Sequence, residues 1–161
     1  MTEIDVKTTV DNFVAVITAN VPDPLFSGDN VANVRDTGRF VEINKPHFHA
    51  KTPFVLVTLE RIQVVNYEGT GSVNEDFNFR FEVRIKVAKN QEGYVSGTLY
   101  NGMVLLHNLA TDIATHFKAN AKTTTGIKVI RKEDAGGYFF DPVDENHIIV
   151  QYYLAEVVNQ N

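Results

Sequence analysis

Apolar and polar residues alternate strictly in the stretch EDFNFRFEVRIKVAKN, which runs from Glu75 to Asn90. Every second residue from Phe77 to Val87 is apolar, and most of the residues between them are charged. Because successive side chains point to opposite faces of a strand, this pattern predicts a β-strand with one apolar face and one charged face. The residues of the charged face are Arg80, Glu82, Arg84 and Lys86.

A partner strand is predicted over Pro53–Tyr67. Residues Phe54 to Leu59 are apolar apart from Thr58, which is typical of a strand buried on both faces or central in a sheet. We predict that Pro53–Tyr67 and Asp76–Ala88 form an antiparallel pair joined by a projecting loop, EGTGSVNED, which is too long for a tight hairpin turn.

Two helices are predicted from apolar positions that recur every three or four residues. The first covers residues 3–21 and is ended by Pro22 and Pro24. Its apolar stripe is formed by Val6, Val10, Phe13, Ile17 and Val21. The second lies in VSGTLYNGMVLLHNLATDIATHFKAN, with Ser96 or Thr98 as the capping residue. Its apolar stripe is formed by Leu99, Met103, Leu106, Ala110, Ile113 and Phe117.

The remaining segments complete the sheet. RFVEI is predicted as a short strand within the weakly patterned span 27–52, and Gly126–Arg131 as another. KEDAGGYFFDPVDEN reads as a turn-rich loop, and HIIVQYYLAEVV as a closing strand. The predicted fold is α+β, a mainly antiparallel four-stranded sheet with two helices packed on one face in a two-layer sandwich, and residues 1–161 form a single domain.

Composition narrows the function classes. The chain contains no cysteine, which removes disulfide frameworks, thiolate zinc sites and cysteine nucleophiles. No apolar run approaches the roughly 20 residues of a membrane helix, and the N-terminus does not read as a signal peptide. The net charge of −5 indicates either ordinary solubility or an acidic lining that keeps passing DNA from adhering, and the total charge does not separate the two.

Candidate metal ligands are few. His47 and His49 in HFH would lie on one side of an extended chain and could bind a metal with His107, His116 or an acid as third ligand; alternatively they are ordinary loop histidines. A second group of oxygen ligands is irregularly spaced, so a solvated loop with aromatic anchors is favoured over a calcium site. That group consists of Glu133, Asp134, Asp141, Asp144 and Glu145.

No arrangement of nucleophile, base and orienting group is visible in the sequence. Gly69 and Gly71 are not followed by a helix, so a phosphate-binding loop is not predicted. We therefore expect no catalytic residue, no cofactor and no metal, and we expect that the protein is not an enzyme.

Surface residues are the remaining candidates for function. Tyr138, Phe139 and Phe140 are three consecutive aromatic residues in a predicted loop, where they either fold back against its base or contact another chain. The charged face of Arg80, Glu82, Arg84 and Lys86 either faces solvent or makes contacts between subunits. These seven residues are the predicted interaction site.

The C-terminal part of the chain resembles the tail terminator proteins of long-tailed bacteriophages. The resemblance lies in IRKEDAGGYFFDPVDENHIIVQYYLAEV, where a basic–acidic stretch with DAG and an aromatic residue leads through a loop into a final apolar strand. The order of elements before it is also similar, with an amphipathic helix, the strand from Pro53, the alternating strand to Val87 and a long helix. The span 27–52 is longer than the compact core of the family needs.

The resemblance implies a structural protein of the virion tail or neck, assembled in the host cytoplasm. It implies a hexameric ring that ends polymerisation of the tail tube and presents a docking surface to head–tail connector proteins, with the sheath as a further partner in contractile tails. DNA would pass through the lumen, and no membrane or cofactor is implied. Two alternatives stay open: another phage neck or head-completion connector, and a small metal- or ligand-binding α+β domain.

Overall fold

The first predicted helix forms α1, Val6–Asn20, in the computed structural model of the protein, which describes residues 5–25, 41–43, 52–67, 74–120 and 127–158. Asp5 caps α1, because its carboxylate accepts hydrogen bonds from the Thr8 hydroxyl at 2.6 Å and the Thr8 backbone N–H at 3.0 Å. These two hydrogen bonds hold the pKa of Asp5 below its ordinary value.

The strand with alternating charged and apolar residues lies at the centre of the sheet. The strands are β1 Val41–Ile43, β2 Phe54–Tyr67, β3 Asn74–Ala88, β4 Glu92–Val95, β5 Thr98–Asn101, β6 Ile127–Asp141 and β7 Asn146–Val158. The alternating strand is β3, which pairs antiparallel with β2, as predicted, and with β7 on its other side. The five strands of this sheet have the order β1-β2-β3-β7-β6. In this sheet β1 is a fifth strand and pairs parallel with β2, Val41 beside Val55 and Ile43 beside Val57.

The second helix, α2, covers Gly102–Ala119 and begins later than its apolar stripe suggested. Residues 92–101 instead form a separate hairpin of β4 and β5. Ser96 and Gly97, between the two strands, have φ values of +50° and +77°, as tight two-residue hairpins require. Ser96 and Thr98 are therefore turn and strand residues and not helix caps, and Leu99 is an exposed residue of β5.

Strand β6 is longer than predicted. The segment KEDAGGYFFD continues the strand that begins at Ile127, and only residues 142–145 form a turn before β7. A bulge separates the two halves of β6, because Lys132 lies opposite Tyr153 and the next paired residue, Gly136, lies opposite Gln151. The prediction of a turn-rich loop over this whole segment was wrong, since pairing with β7 resumes at Gly136 and continues to Asp141.

The core lies between the sheet and the two helices, which confirms the predicted α+β sandwich. The Phe13 ring of α1 stacks on Phe81 of β3 at 3.9 Å and on Phe117 of α2 at 4.5 Å between centroids. We call the sheet face that carries Phe81 the helix face and the other the outer face. No helix in the described part of the chain is long and apolar enough to span a membrane.

Candidate assembly surfaces

The charged residues of β3 lie on the outer face, as predicted, but they are engaged within the chain. The Arg80 guanidinium contacts Glu60 of β2 at 2.7 Å and Glu133 of β6 at 3.2 Å, and it lies 4.3 Å from the centre of the Tyr152 ring. The hydrogen bonds to Glu133 raise the pKa of Arg80. Arg80 of β3 therefore contacts side chains of β2, β6 and β7 across the outer face.

The other members of the charged face differ in their surroundings. Arg84 donates a hydrogen bond to Glu82 at 3.0 Å along the same strand. Lys86 is buried, with its ammonium 5.6 Å from the centre of the Phe54 ring, and burial lowers its pKa. The outer face of β3 thus carries an internally organised set of charges, and its role in subunit contacts stays a prediction.

The three consecutive aromatic residues lie on a strand and not in a loop, so they divide between the two faces. Tyr138 and Phe140 lie opposite Ile149 and His147 on the helix face, and Phe139 lies opposite Ile148 on the outer face. All three remain substantially exposed, at 40%, 44% and 38% for Tyr138, Phe139 and Phe140. Tyr138 and Phe140 therefore lie on the opposite face from the charged residues of β3. Phe139 shares the face of those charged residues, because its cross-strand neighbour Ile148 pairs with Lys86.

His147 holds the aromatic residues in place. Its Nε2 lies 3.2 Å from the Lys89 carbonyl oxygen and its Nδ1 lies 2.8 Å from the Tyr138 hydroxyl. Since a carbonyl only accepts, Nε2 carries the proton in the neutral ring and Nδ1 accepts from the tyrosine. The Phe140 ring lies 5.1 Å from the His147 ring. No local sequence pattern predicts these partners of His147.

The start of α2 lies beside Tyr138, Phe140 and His147. A Cβ at Gly102 would lie 3.9 Å from His147 Nε2, which places the helix N-terminus beside the same histidine. Met103 and Val104 are exposed there, and the His107 ring lies 5.6 Å from the Tyr138 ring. We call this surface the aromatic end. Its residues are Met103, Val104, His107, Tyr138 and Phe140 on the side of the helix face, and Phe139 at the same end of β6 on the outer face.

A groove of about 810 Å³ runs between α2 and β6 on the helix face. Its walls include Thr111 and Lys118 of α2 and Lys132 of β6. On its floor, the Tyr153 hydroxyl donates to the side-chain oxygen Oε1 of Gln151 at 2.8 Å, and the side-chain Nε2 of Gln151 donates to the Ala110 backbone carbonyl at 3.3 Å. Burial raises the pKa of Tyr153, so its hydroxyl stays protonated as a donor.

The candidate metal ligands have other surroundings where the structure describes them. Among the described residues no three His, Asp or Glu side chains form a group able to hold a metal ion. Glu133 pairs with Arg80, Asp141 accepts from the Val143 backbone N–H, and His116 lies 3.5 Å from Asp112. His47, His49, Gly69 and Gly71 lie outside the described residues.

Sequence reasoning missed one exposed apolar pair. Ile62 and Val64 of β2 are 40% and 49% exposed, although their partners in β3, Phe79 and Phe77, belong to the apolar set on the helix face. The alternation of apolar and polar residues in ERIQVVNY carries this signal, but only the structure shows that these two side chains remain uncovered.

Comparisons with known proteins identify no family. No family model matches the chain, and no curated protein matches it significantly. Among solved structures, a chain of the "Virion of native gene transfer agent (GTA) particle" is similar with a TM-score of 0.45 and 11% sequence identity, over 75% of this chain and 79% of that chain. A TM-score below 0.5 at this identity does not establish a shared fold.

Proposed function

We propose that the protein is a structural subunit of a bacteriophage tail that works as a tail terminator. Copies form a ring on the last ring of the tail tube, stop its growth and offer a docking surface to the head connector. The proposal starts from the sequence resemblance of residues 130–157 to this class of proteins. Its main structural support is the aromatic end.

The aromatic end has the composition of a contact surface. Large apolar side chains left exposed next to each other are costly in water and are typical of the centres of protein interfaces. Here they come from two different elements, the start of α2 and the second half of β6, and His147 fixes Tyr138 in a defined orientation. A surface built in this way is suited to binding another folded protein.

The exposed residues of β2, α2 and β6 away from the aromatic end are mostly polar or charged. They include Arg61, Lys118, Arg131 and Lys132 together with Glu60 and Asp134, and Ile62 and Val64 are exposed apolar residues among them. A cap has to bind the tube through one side and present another side on which no further tube ring can form. Two ends of unlike chemistry on one subunit meet that requirement.

In this proposal the protein turns over no substrate and its specificity comes from shape and charge. The polar groups on the groove floor bond to one another, and the Arg80 guanidinium is occupied by two carboxylates. These contacts favour a structural role for the buried polar groups of the sheet.

The aromatic end can be tested with the variants Phe139→Asp and Phe140→Asp. Each side chain is already well exposed, so we expect a folded monomer with a stability change of about 1 kcal/mol or less. In phage that lack the wild-type chain, each variant should fail to restore normal tails, and electron micrographs should show overlong tails or heads without tails.

Ala15→Asp, on the exposed side of α1, is the matched control and should restore normal particles. Normal tail length and head attachment with both phenylalanine variants would contradict the role of the aromatic end.

A further inference from the structure

The two margins of the sheet are unlike each other. Strand β6 is the last strand on one side. On the other side β1 covers only Val55–Val57 of β2, and among the described residues no strand pairs with the outer edge of Arg61–Val64. Strand edges of this kind present unpaired backbone donors and acceptors that can pair with another chain.

The strand directions make these margins compatible. β2 is antiparallel to β3, β3 to β7 and β7 to β6, so β2 and β6 run in opposite directions. If a second copy lies beside the first with its strands and its helix face oriented as in the first, the β2 strand of the second copy runs antiparallel to the β6 strand of the first. The sheet would then continue from one copy to the next in its own antiparallel pattern.

The free stretches also lie at matching levels of the sheet. Following the register across β3 and β7, Ile62 lies on the same row as Ile130 of β6, whereas Val57, beside β1, lies on the row of Gly136. The β6 bulge therefore falls at the level where β1 pairing on β2 ends. Below this level the pairing is regular from Arg61 to Val64 in β2 and from Val129 to Lys132 in β6, and Ile62 and Val64 stand exposed on the helix face.

We propose that the Arg61–Val64 stretch of β2 in one copy pairs with the Ile127–Lys132 stretch of β6 in the next copy. This inference rests on the proposed ring and names the surface that closes it. Ile62 and Val64 of the second copy lie on the helix face beside β6 and cover the open side of the groove between α2 and β6. Each copy carries one margin of each kind, so the contact is head-to-tail and closes into a ring when the rotation between copies permits.

The absence of cysteine from the chain makes disulfide cross-linking a clean test. Arg61 lies on the same row as Arg131, through Arg80 and Leu154, and both are exposed residues of the outer face. Arg61→Cys and Arg131→Cys are made as separate proteins, mixed at high concentration and oxidised. Because directly opposite residues of a continued sheet share a face, we expect a mixed Arg61→Cys–Arg131→Cys dimer, and a ladder of multimers ending in one closed species from the double variant.

Lys132→Cys is the matched control, since Lys132 is also exposed but pairs with Tyr153 and lies on the helix face. Its cross-linking to Arg61→Cys should be about tenfold weaker. Equal yields with Lys132→Cys, a predominant Arg131→Cys homodimer, or no mixed dimer at all would overturn the pairing. If the pairing fails while tail length still depends on Phe139, the capping function stands and the ring closes through other elements.

Discussion

Replacing Phe13 by alanine is expected to lower the free energy of unfolding by about 3–5 kcal/mol. The Phe13 side chain is fully buried and stacks on Phe81 of the sheet and Phe117 of α2, and the Tyr153 ring meets it edge-on at 6.1 Å. No other described side chain of α1 contacts both layers through stacked rings, so its removal leaves a cavity where sheet and helices meet. Urea denaturation followed by circular dichroism measures the loss.

Val6→Ala is the control on the same helix. Val6 belongs to the predicted apolar stripe but is 39% exposed, so its truncation should cost about 0.5 kcal/mol or less. Equal losses for the two variants would contradict the central place of Phe13 in the core.

Gly136→Ala is expected to cost about 3 kcal/mol or more and to release the second half of β6 from β7. Gly136 has a φ of +97°, and a Cβ there would lie 2.1 Å from the Val150 carbonyl oxygen of the neighbouring strand. The strand has to move to relieve this contact. Hydrogen exchange should show faster exchange of the amides of Tyr138 to Asp141, and thermal unfolding should show the loss of stability.

Gly97→Ala separates the cost of the positive φ from the cost of the contact with the Val150 carbonyl oxygen. Gly97 also has a positive φ, +77°, but a Cβ there would meet nothing within 4 Å. Its substitution should cost about 1–2 kcal/mol from backbone strain alone. A loss for Gly136→Ala no larger than for Gly97→Ala would show that close approach to Val150 does not govern this part of the sheet.

The centre of the fold could be predicted because its sequence pattern is strong. β3 alternates over Phe77–Val87 without a break, and every apolar member from Phe79 to Val87 is fully buried. α1 likewise buries Val10, Phe13 and Ile17 of its stripe. In these elements local periodicity and tertiary burial select the same residues, so the pattern alone was sufficient.

Two predictions were wrong: the loop over KEDAGGYFFDPVDEN, because its glycines indicated a turn, and the start of α2, because the helical spacing of apolar residues continues before the helix begins. Gly136 and Gly137 indicated a turn, whereas their positive φ values accommodate a bulge within a continuing strand. Leu99 falls in step with the stripe of α2, but the positive φ values at Ser96 and Gly97 make a hairpin before the helix. Both outcomes depend on the neighbouring strands, which the local sequence does not specify.

The candidate surfaces were only partly predictable. The sequence identified Tyr138, Phe139 and Phe140, but a loop assignment could not show that they alternate between two faces of a strand. It also gave the charges of β3 without the partners of Arg80, which are 20 and 53 residues away in the chain. The groove arises from the packing of distant elements, so no local pattern contains it. The alternation in ERIQVVNY puts Ile62 and Val64 on the apolar face of β2 but does not show that they stay exposed.

The most direct test of the capping function is the length distribution of tails in phage particles made without this protein. We predict tails that exceed the normal length, with a broad distribution and heads left unattached, and recovery of one uniform length when the wild-type chain is supplied. Tails of normal, uniform length joined to heads in its absence would contradict the proposal.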